Sequence, residues 1–355
     1  MAVTSYGVND PLAVKLWAKK LSVEVLKDTD IADYMGTDDN SLWQIKTETQ
    51  KGAGDKITHG LRMQLTGPGI QGDGTLEGNE EALTTYNDAI FIDQLRHAVR
   101  NGGKMSEQRV PFSVRQEALS GLKDWWTDRI AVSAFNQLCG NTVQTDTRFT
   151  GNQAVIAPSA TRHIWSSVDH TSDQTLDNTD TFNLTQIDRC KALADTLTPP
   201  IRPIIIRGQR HYMIFLHPFQ EYDLRTNTAT GQWLDIQKAA MQGGEITKNP
   251  IFNGALGMYN NCIIKKDSRV TLGVSSVSPT TAVANTRRAV FCGAQALSIS
   301  FGQDGGPNKF TWVEELFDYK NQLGVSAGCI FGVKKIVFNS VDFSTIVVSS
   351  YAAQP

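Results

Sequence analysis

Six histidines, five cysteines and one glycine-rich run are the residues best able to do chemistry in this chain. Their spacing builds no catalytic centre. His59, His97, His163, His170, His211 and His217 include no H-E-x-x-H pair, which would place two imidazoles on one helix face around zinc. Gly67-Pro68-Gly69-Ile70-Gln71-Gly72 is a literal G-x-G-x-x-G after a strand-like segment. A dinucleotide site needs a helix N-terminus at that point, with its amides facing the pyrophosphate. The chain continues instead with Asp73, Gly74, Thr75, Leu76, Glu77 and Gly78, which break a helix and repel phosphate. The acidic residues Asp73, Glu77, Glu80 and Glu81 miss the spacing of a calcium loop, so they read as a solvated tip, with a cation between subunits as the alternative. No G-x-S-x-G elbow or G-x-x-x-x-G-K-[ST] loop occurs. Triads can be assembled from distant positions, but no residue here argues positively for an enzyme, a cofactor or a metal.

Cys139, Cys190, Cys262, Cys292 and Cys329 are odd in number and form no C-x-x-C pair, so they read as buried thiols in a reducing compartment. Trp125-Trp126 lies mid-helix without a basic groove, so burial is favoured over base stacking. A formal charge of −2 over 355 residues leaves no electrostatic footprint for a phosphate backbone, and any contact with nucleic acid is expected to be non-specific. With 40% hydrophobic and 20% charged residues the chain is folded, not disordered. MAVTSYGVND lacks the basic and apolar regions of a signal peptide, and no stretch approaches the ~18 apolar residues of a membrane span. Cytoplasmic synthesis without a membrane is the expectation.

The elements that would position these residues follow an irregular α+β pattern. Residues 11–27 form an amphipathic helix capped by Asp10 with Pro11 at its first position; Leu12, Leu16, Trp17, Leu21 and Val25 make an apolar stripe opposite a lysine face. Residues 42–66 and 84–95 are extended, with Ile57, His59, Leu61, Met63 and Leu65 on one face. Joined across the glycine-rich 67–81, they describe a long hairpin with a polar tip, and such a hairpin needs a partner surface. Residues 113–140 are the dominant helix, with a capping box of Ser113 and Gln116, apolar steps of four from Val114 to Leu138, and Gly140 as the terminating glycine. Residues 141–183 have almost no periodicity, and a loop that long is expected to be held by a partner. A helix capped at Asn183 follows, then strands over 202–208, 211–218, 257–267, 288–302, 329–339 and 342–351, with short helices at 219–225 and 233–242. The absence of a βαβ rhythm argues against a doubly wound parallel sheet.

The block from Leu61 to Ile130 resembles the major capsid proteins of podophages similar to N-four, most specifically in Arg62–Thr66, Leu76–Leu83, Asp93–Val99, Lys104–Arg109 and Gly121–Asp128. The remainder resembles them only in pattern. The resemblance implies the Hong Kong 97-type capsid fold: an N-terminal arm at 1–45, an extended β-hairpin loop at 46–96, and a peripheral domain at 97–195 and 306–355. The spine helix would fall at about 113–140, an insertion at 141–183, and an axial domain at 196–305. It implies a virion shell subunit that assembles in the host cytoplasm as hexamers and pentamers around double-stranded DNA. A separate scaffolding protein, a portal and a cement protein would be its partners. Trp17, Lys51, Lys56, Arg62, Asp73, Glu77, Glu80 and Glu81 are the residues expected to touch other copies. Some members of this fold join a loop lysine to an asparagine; Lys51 or Lys56 with Asn339 would be the pair here, but solvated lysines are the favoured reading. Another phage structural subunit, of tail tube or portal, and a soluble α+β enzyme are the alternatives.

Overall fold

The computed structural model describes residues 34–47, 54–63, 65–111, 113–206, 208–229, 231–232, 257–303 and 310–355. The expected helices at 11–27 and 233–242, with Trp17 and Lys51, lie outside these residues. In chain order come β1 (Met35–Gly36), β2 (Trp43–Lys46), β3 (Lys56–Arg62), β4 (Thr85–Phe91) and β5 (Asp93–Arg100), then helices α1 (Lys104–Gln108) and α2 (Val114–Leu138). After them come β6 (His163–Trp165), α3 (Leu184–Thr196), β7 (Ile204–Ile206), β8 (Gln209–Leu216) and α4 (Pro218–Thr226). The remaining strands are β9 (Met258–Tyr259), β10 (Cys262–Lys266), β11 (Leu272–Val274), β12 (Ala282–Cys292), β13 (Leu297–Phe301), β14 (Thr311–Phe317), β15 (Gln322–Lys335), β16 (Val337–Phe338), β17 (Val341–Asp342) and β18 (Thr345–Tyr351).

Two large sheets organise the molecule. One runs β1-β2-β13-β15-β14, with β5 also laid antiparallel on β15 from Gly324↔Arg100 to Phe331↔Asp93. The other runs β6-β18-β12-β8-β10-β9, with β11 on β12 and β7 on β8. The period-2 alternation of a strand explains how the second sheet is covered on both faces. Along β8, Tyr212, Ile214 and Leu216 enter one core while Met213 and Phe215 enter another. In β12, Ala289 and Phe291 follow the first set, and Val290 and Cys292 the second. The first core is closed by Leu184, Ile187, Cys190 and Ala194 of α3 and by Leu224 of α4. The second continues into the other sheet and α2, where Ala118, Leu122, Trp126, Ile130, Ala134 and Leu138 are all buried.

Helix ends follow their local signals unequally. Gly140 takes φ +63°; Asn141 N–H bonds Asn136 O at 3.0 Å and Gly140 N–H bonds Gln137 O at 3.2 Å, the Schellman closure of α2. Asn183 forms a full capping box with Gln186 at the start of α3. Ser113 sits at the N-cap of α2 but makes no side-chain capping bond, so the expected box with Gln116 is absent. Its hydroxyl is exposed and stays with solvent.

Three expectations change. β2 is not part of the hairpin: Trp43, fully buried, pairs with Leu297 in the first sheet. Residues 93–100 likewise leave the hairpin to pair with β15. The stretch 141–183 is tied down by its own subunit, through Gln137 Nε2–H to Thr150 O at 2.8 Å, Asn136 Nδ2–H to Phe149 O at 2.8 Å, and β6 laid parallel to β18. Sheet membership also runs across the expected ranges, since 297–301 joins the sheet of β15 while 345–351 joins that of β12.

Candidate functional site

The hairpin β3–β4 pairs from Lys56↔Phe91 to Arg62↔Thr85. Its alternation is as expected, with Ile57 and His59 buried and Thr58, Gly60 and Arg62 exposed. The buried face docks on the subunit itself. Leu61 and Tyr86 pack on Ile336, Phe338 and Phe343, and His59 Nε2 lies 3.2 Å from Ser298 Oγ. Asp88 binds the Lys334 ammonium through one carboxylate oxygen and accepts Val337 N–H at 3.1 Å through the other. Phe91 O accepts the Gln153 amide, and any Cβ at Gly332 would lie 2.1 Å from that carbonyl. Glycine at 332 is therefore what lets the hairpin's end cross β15.

Beyond these anchors, residues 65–83 are exposed throughout and bond only among themselves. Leu65, Ile70, Leu76 and Leu83 are 55%, 42%, 60% and 57% exposed, an apolar surface the subunit does not cover. The tip is nonetheless shaped. The Glu81 carboxylate accepts Thr66 N–H at 2.8 Å, Gly67 N–H at 2.7 Å and the Thr66 hydroxyl. Those backbone N–H groups, Thr66 first, hold Glu81 below the usual carboxylate range. Glu80 accepts Gly78 N–H at 2.8 Å. Asp73 and Glu77 point to solvent without a partner among the described residues. Arg62 is exposed at the end of β3, and Lys56 lies 5.6 Å over the Phe91 ring. No helix follows Gly72. Among the described residues, no three His, Cys, Asp or Glu side chains converge as a metal site requires, and no helix is long and apolar enough to cross a membrane.

A second constellation, unforeseen from sequence, lies in the interior. Asp173 and Arg288 form a buried pair at 2.8 Å. Asp173 also accepts Trp165 Nε1–H at 3.0 Å and Val274 N–H at 2.8 Å. Arg288 donates to Gly140 O at 2.9 Å and Cys139 O at 3.3 Å, the carbonyl end of α2, where a cation is favoured by the helix dipole. Burial opposes the charge of Asp173, yet Arg288 and then His163 hold its carboxyl below the usual range. His163, 2.8 Å from Ser349 Oγ, is pushed down to about 4 by burial, against the pull of Asp173. Lys335 and Asp342 form another interior pair at 2.8 Å. The available signal was a charge flanked by apolar residues in a strand, as in Arg288-Ala289-Val290 and Lys334-Lys335-Ile336. Such a charge must find a buried partner, but its spacing does not name which one. These pairs brace the structure.

An uncovered hairpin tip on a braced body is the geometry of a subunit that completes itself on its neighbours. The sequence matches the phage capsid protein family over residues 5–354. The chain belongs to that family. Within it, the chain is 32% identical over 334 residues to the major capsid protein of Pseudomonas phage KPP25, covering 87% of this chain and 85% of the relative. The capsid of Ralstonia phage GP4 superposes with a TM-score of 0.77 at 34% identity, covering 100% of this chain and 99% of that one. The cyanophage Pam1 capsid subunit shares the fold at 20% identity, with a TM-score of 0.74 over 92% of each chain. The expected α+β capsid fold is thus borne out, and the capsid relatives are structural proteins, not enzymes.

Proposed function

We propose that this chain is the shell subunit of a tailed phage, and that its copies associate as hexamers and pentamers into a closed icosahedral container for double-stranded DNA. The observation that carries this is the hairpin: its base is fixed by Asp88, Lys334 and Gly332, while four apolar side chains at its tip stay uncovered. We assign the six-stranded sheet with α2 to the peripheral part and the eight-stranded sheet with α3 and α4 to the axial part. The hairpin β3–β4 with its tip is the extended loop. Each contact between copies can be weak, because a subunit held by several neighbours is held by their combined effect. Assembly in the host cytoplasm, with a separate scaffolding protein, a portal and a cement protein, completes the reading; the net charge of −2 keeps DNA contacts non-specific. Electron microscopy of the purified chain, alone and with its phage's scaffolding protein, is the test. Closed shells are expected; open tubes, or a monomer under every condition, would overturn the reading.

A further inference from the structure

Beside the hairpin two adjacent hollows share part of their lining and together make up a groove. The larger, about 970 Å³, is walled by α3 and the β7–β8 pair; the smaller, about 290 Å³, follows Thr58–Leu61 of β3, and Asp39 and Arg202 line both. Four cations edge the groove: Lys46, Lys191, Arg202 and Arg210. Lys191 donates to Asn260 Oδ1 at 2.6 Å, and the other three have no carboxylate partner among the described residues. The two acids are already engaged by neutral donors. Asp39 accepts the Gln44 and Gln295 amides, each at 3.0 Å, and Asp195 accepts the Tyr212 hydroxyl at 3.1 Å. With four cations against two carboxylates, the groove is net positive. Ile205, 55% exposed, adds an apolar foothold.

The hairpin tip is the complement. Residues 63–84 hold four acids and no lysine or arginine, and two of those acids, Asp73 and Glu77, are unengaged. Ile70 and Leu76 flank them, both exposed. In its own subunit the tip bonds only within itself, so its side chains remain available to another chain. We infer that this groove receives the hairpin tip of a second copy, with Asp73 and Glu77 set against Arg202 and Arg210 and an apolar tip residue on Ile205. The inference rests on the shell-subunit reading and names the surface that accepts the loop. Opposite charges meeting across an interface fix register and speed encounter, and their pairing weakens as salt rises.

The experiment is a charge exchange read by electron microscopy and sedimentation. The groove variant Arg202→Glu with Arg210→Glu, and the tip variant Asp73→Lys with Glu77→Lys, are each expected to lower the yield of closed shells at least tenfold. All four positions are exposed, so each variant subunit is expected to fold, which circular dichroism checks. The two variants combined in one chain should recover most of the yield. Shells at wild-type yield from either variant, or no recovery in the combination, would overturn the groove assignment while leaving the shell reading intact. Failure of the wild-type chain to form shells would instead remove the shell reading. Carbodiimide treatment of wild-type particles gives a readout independent of any variant. It should join Lys46 or Lys191 of one copy to Asp73 or Glu77 of another, and mass spectrometry that finds no such peptide would also refute the proposal.

Discussion

A carboxylate and a guanidinium taken out of water cost more than their attraction returns unless every remaining donor and acceptor is satisfied. Asp173 and Arg288 meet that condition through Trp165, Val274 and the two carbonyls that end α2. Removing one partner strands the other. Asp173→Ala should therefore destabilise the unassembled subunit by about 3–5 kcal/mol. Replacing both with apolar residues of similar volume should cost much less. Urea denaturation followed by tryptophan fluorescence measures both, and a loss under about 1 kcal/mol for Asp173→Ala would contradict the account. Acid acts on the same cluster through His163. Its folded pKa is about 4, below the ordinary 6.5, so between those values the unfolded chain takes a proton that the folded chain refuses. Stability from this group is complete above pH 6.5 and falls as pH drops toward 4, by on the order of 3 kcal/mol. Asp173, itself depressed, loses its contribution only below that window. Melting temperature between pH 7 and pH 4.5 should fall more steeply for the wild type than for His163→Gln. His217, also pushed down to about 4 by burial, keeps some slope in the variant.

At the scale of elements, the hairpin divides into a base that belongs to the subunit and a tip that does not. Gly332→Ala would set a methyl group 2.1 Å from Phe91 O, and backbone cannot yield as a flexible side chain would. A cost of about 1–3 kcal/mol is expected, together with faster amide exchange in β3 and β4. Unchanged exchange there would show that the hairpin's seat does not depend on this glycine. Excising residues 65–83 for a two-residue turn should leave the fold and its melting temperature intact, since no side chain in that span is buried. Closed shells should then fail to form. The excision must stop short of β3, because Ile57 and His59 lie in the subunit's interior. What sequence could reveal here was local. The stripe of α2, the cap at Asn183, the alternation through Ile57, His59 and Leu61, and the C-terminal strands each carry their signal within a few residues. Pairings distant in sequence do not. Nothing near Trp43 points to Leu297, nothing in Asp93–Arg100 points to β15, and Asp173 sits in a polar stretch whose partner lies 115 residues away. The acidic tip was visible as composition, whereas the basic groove is gathered from Lys46, Lys191, Arg202 and Arg210, which only folding brings together.

For the whole molecule, the question is whether many weak contacts suffice or a covalent bond is needed. An isopeptide bond between a lysine and an asparagine needs a deprotonated amine beside the amide and an acid to move protons. Lys56 is exposed and held over the Phe91 ring, and Asn339 is exposed in the turn between β16 and β17. Neither side chain meets a carboxylate among the described residues. The turn that carries Asn339 packs with Leu61 and Tyr86, while Lys56 is five residues back along β3, about 17 Å at strand spacing. Any bond would thus have to join different copies and borrow its acid from a neighbour. The uncovered tip gives a non-covalent route instead, with apolar area and charge repeated at every subunit. Boiling purified particles in detergent is therefore expected to release the single chain and no ladder of multimers. Shells of Lys56→Arg, which keeps the charge and removes the amine nucleophile, should match the wild type in heat resistance. A ladder that disappears in Lys56→Arg would show that the shell is closed by chemistry, with the weak contacts serving only to bring the partners into place.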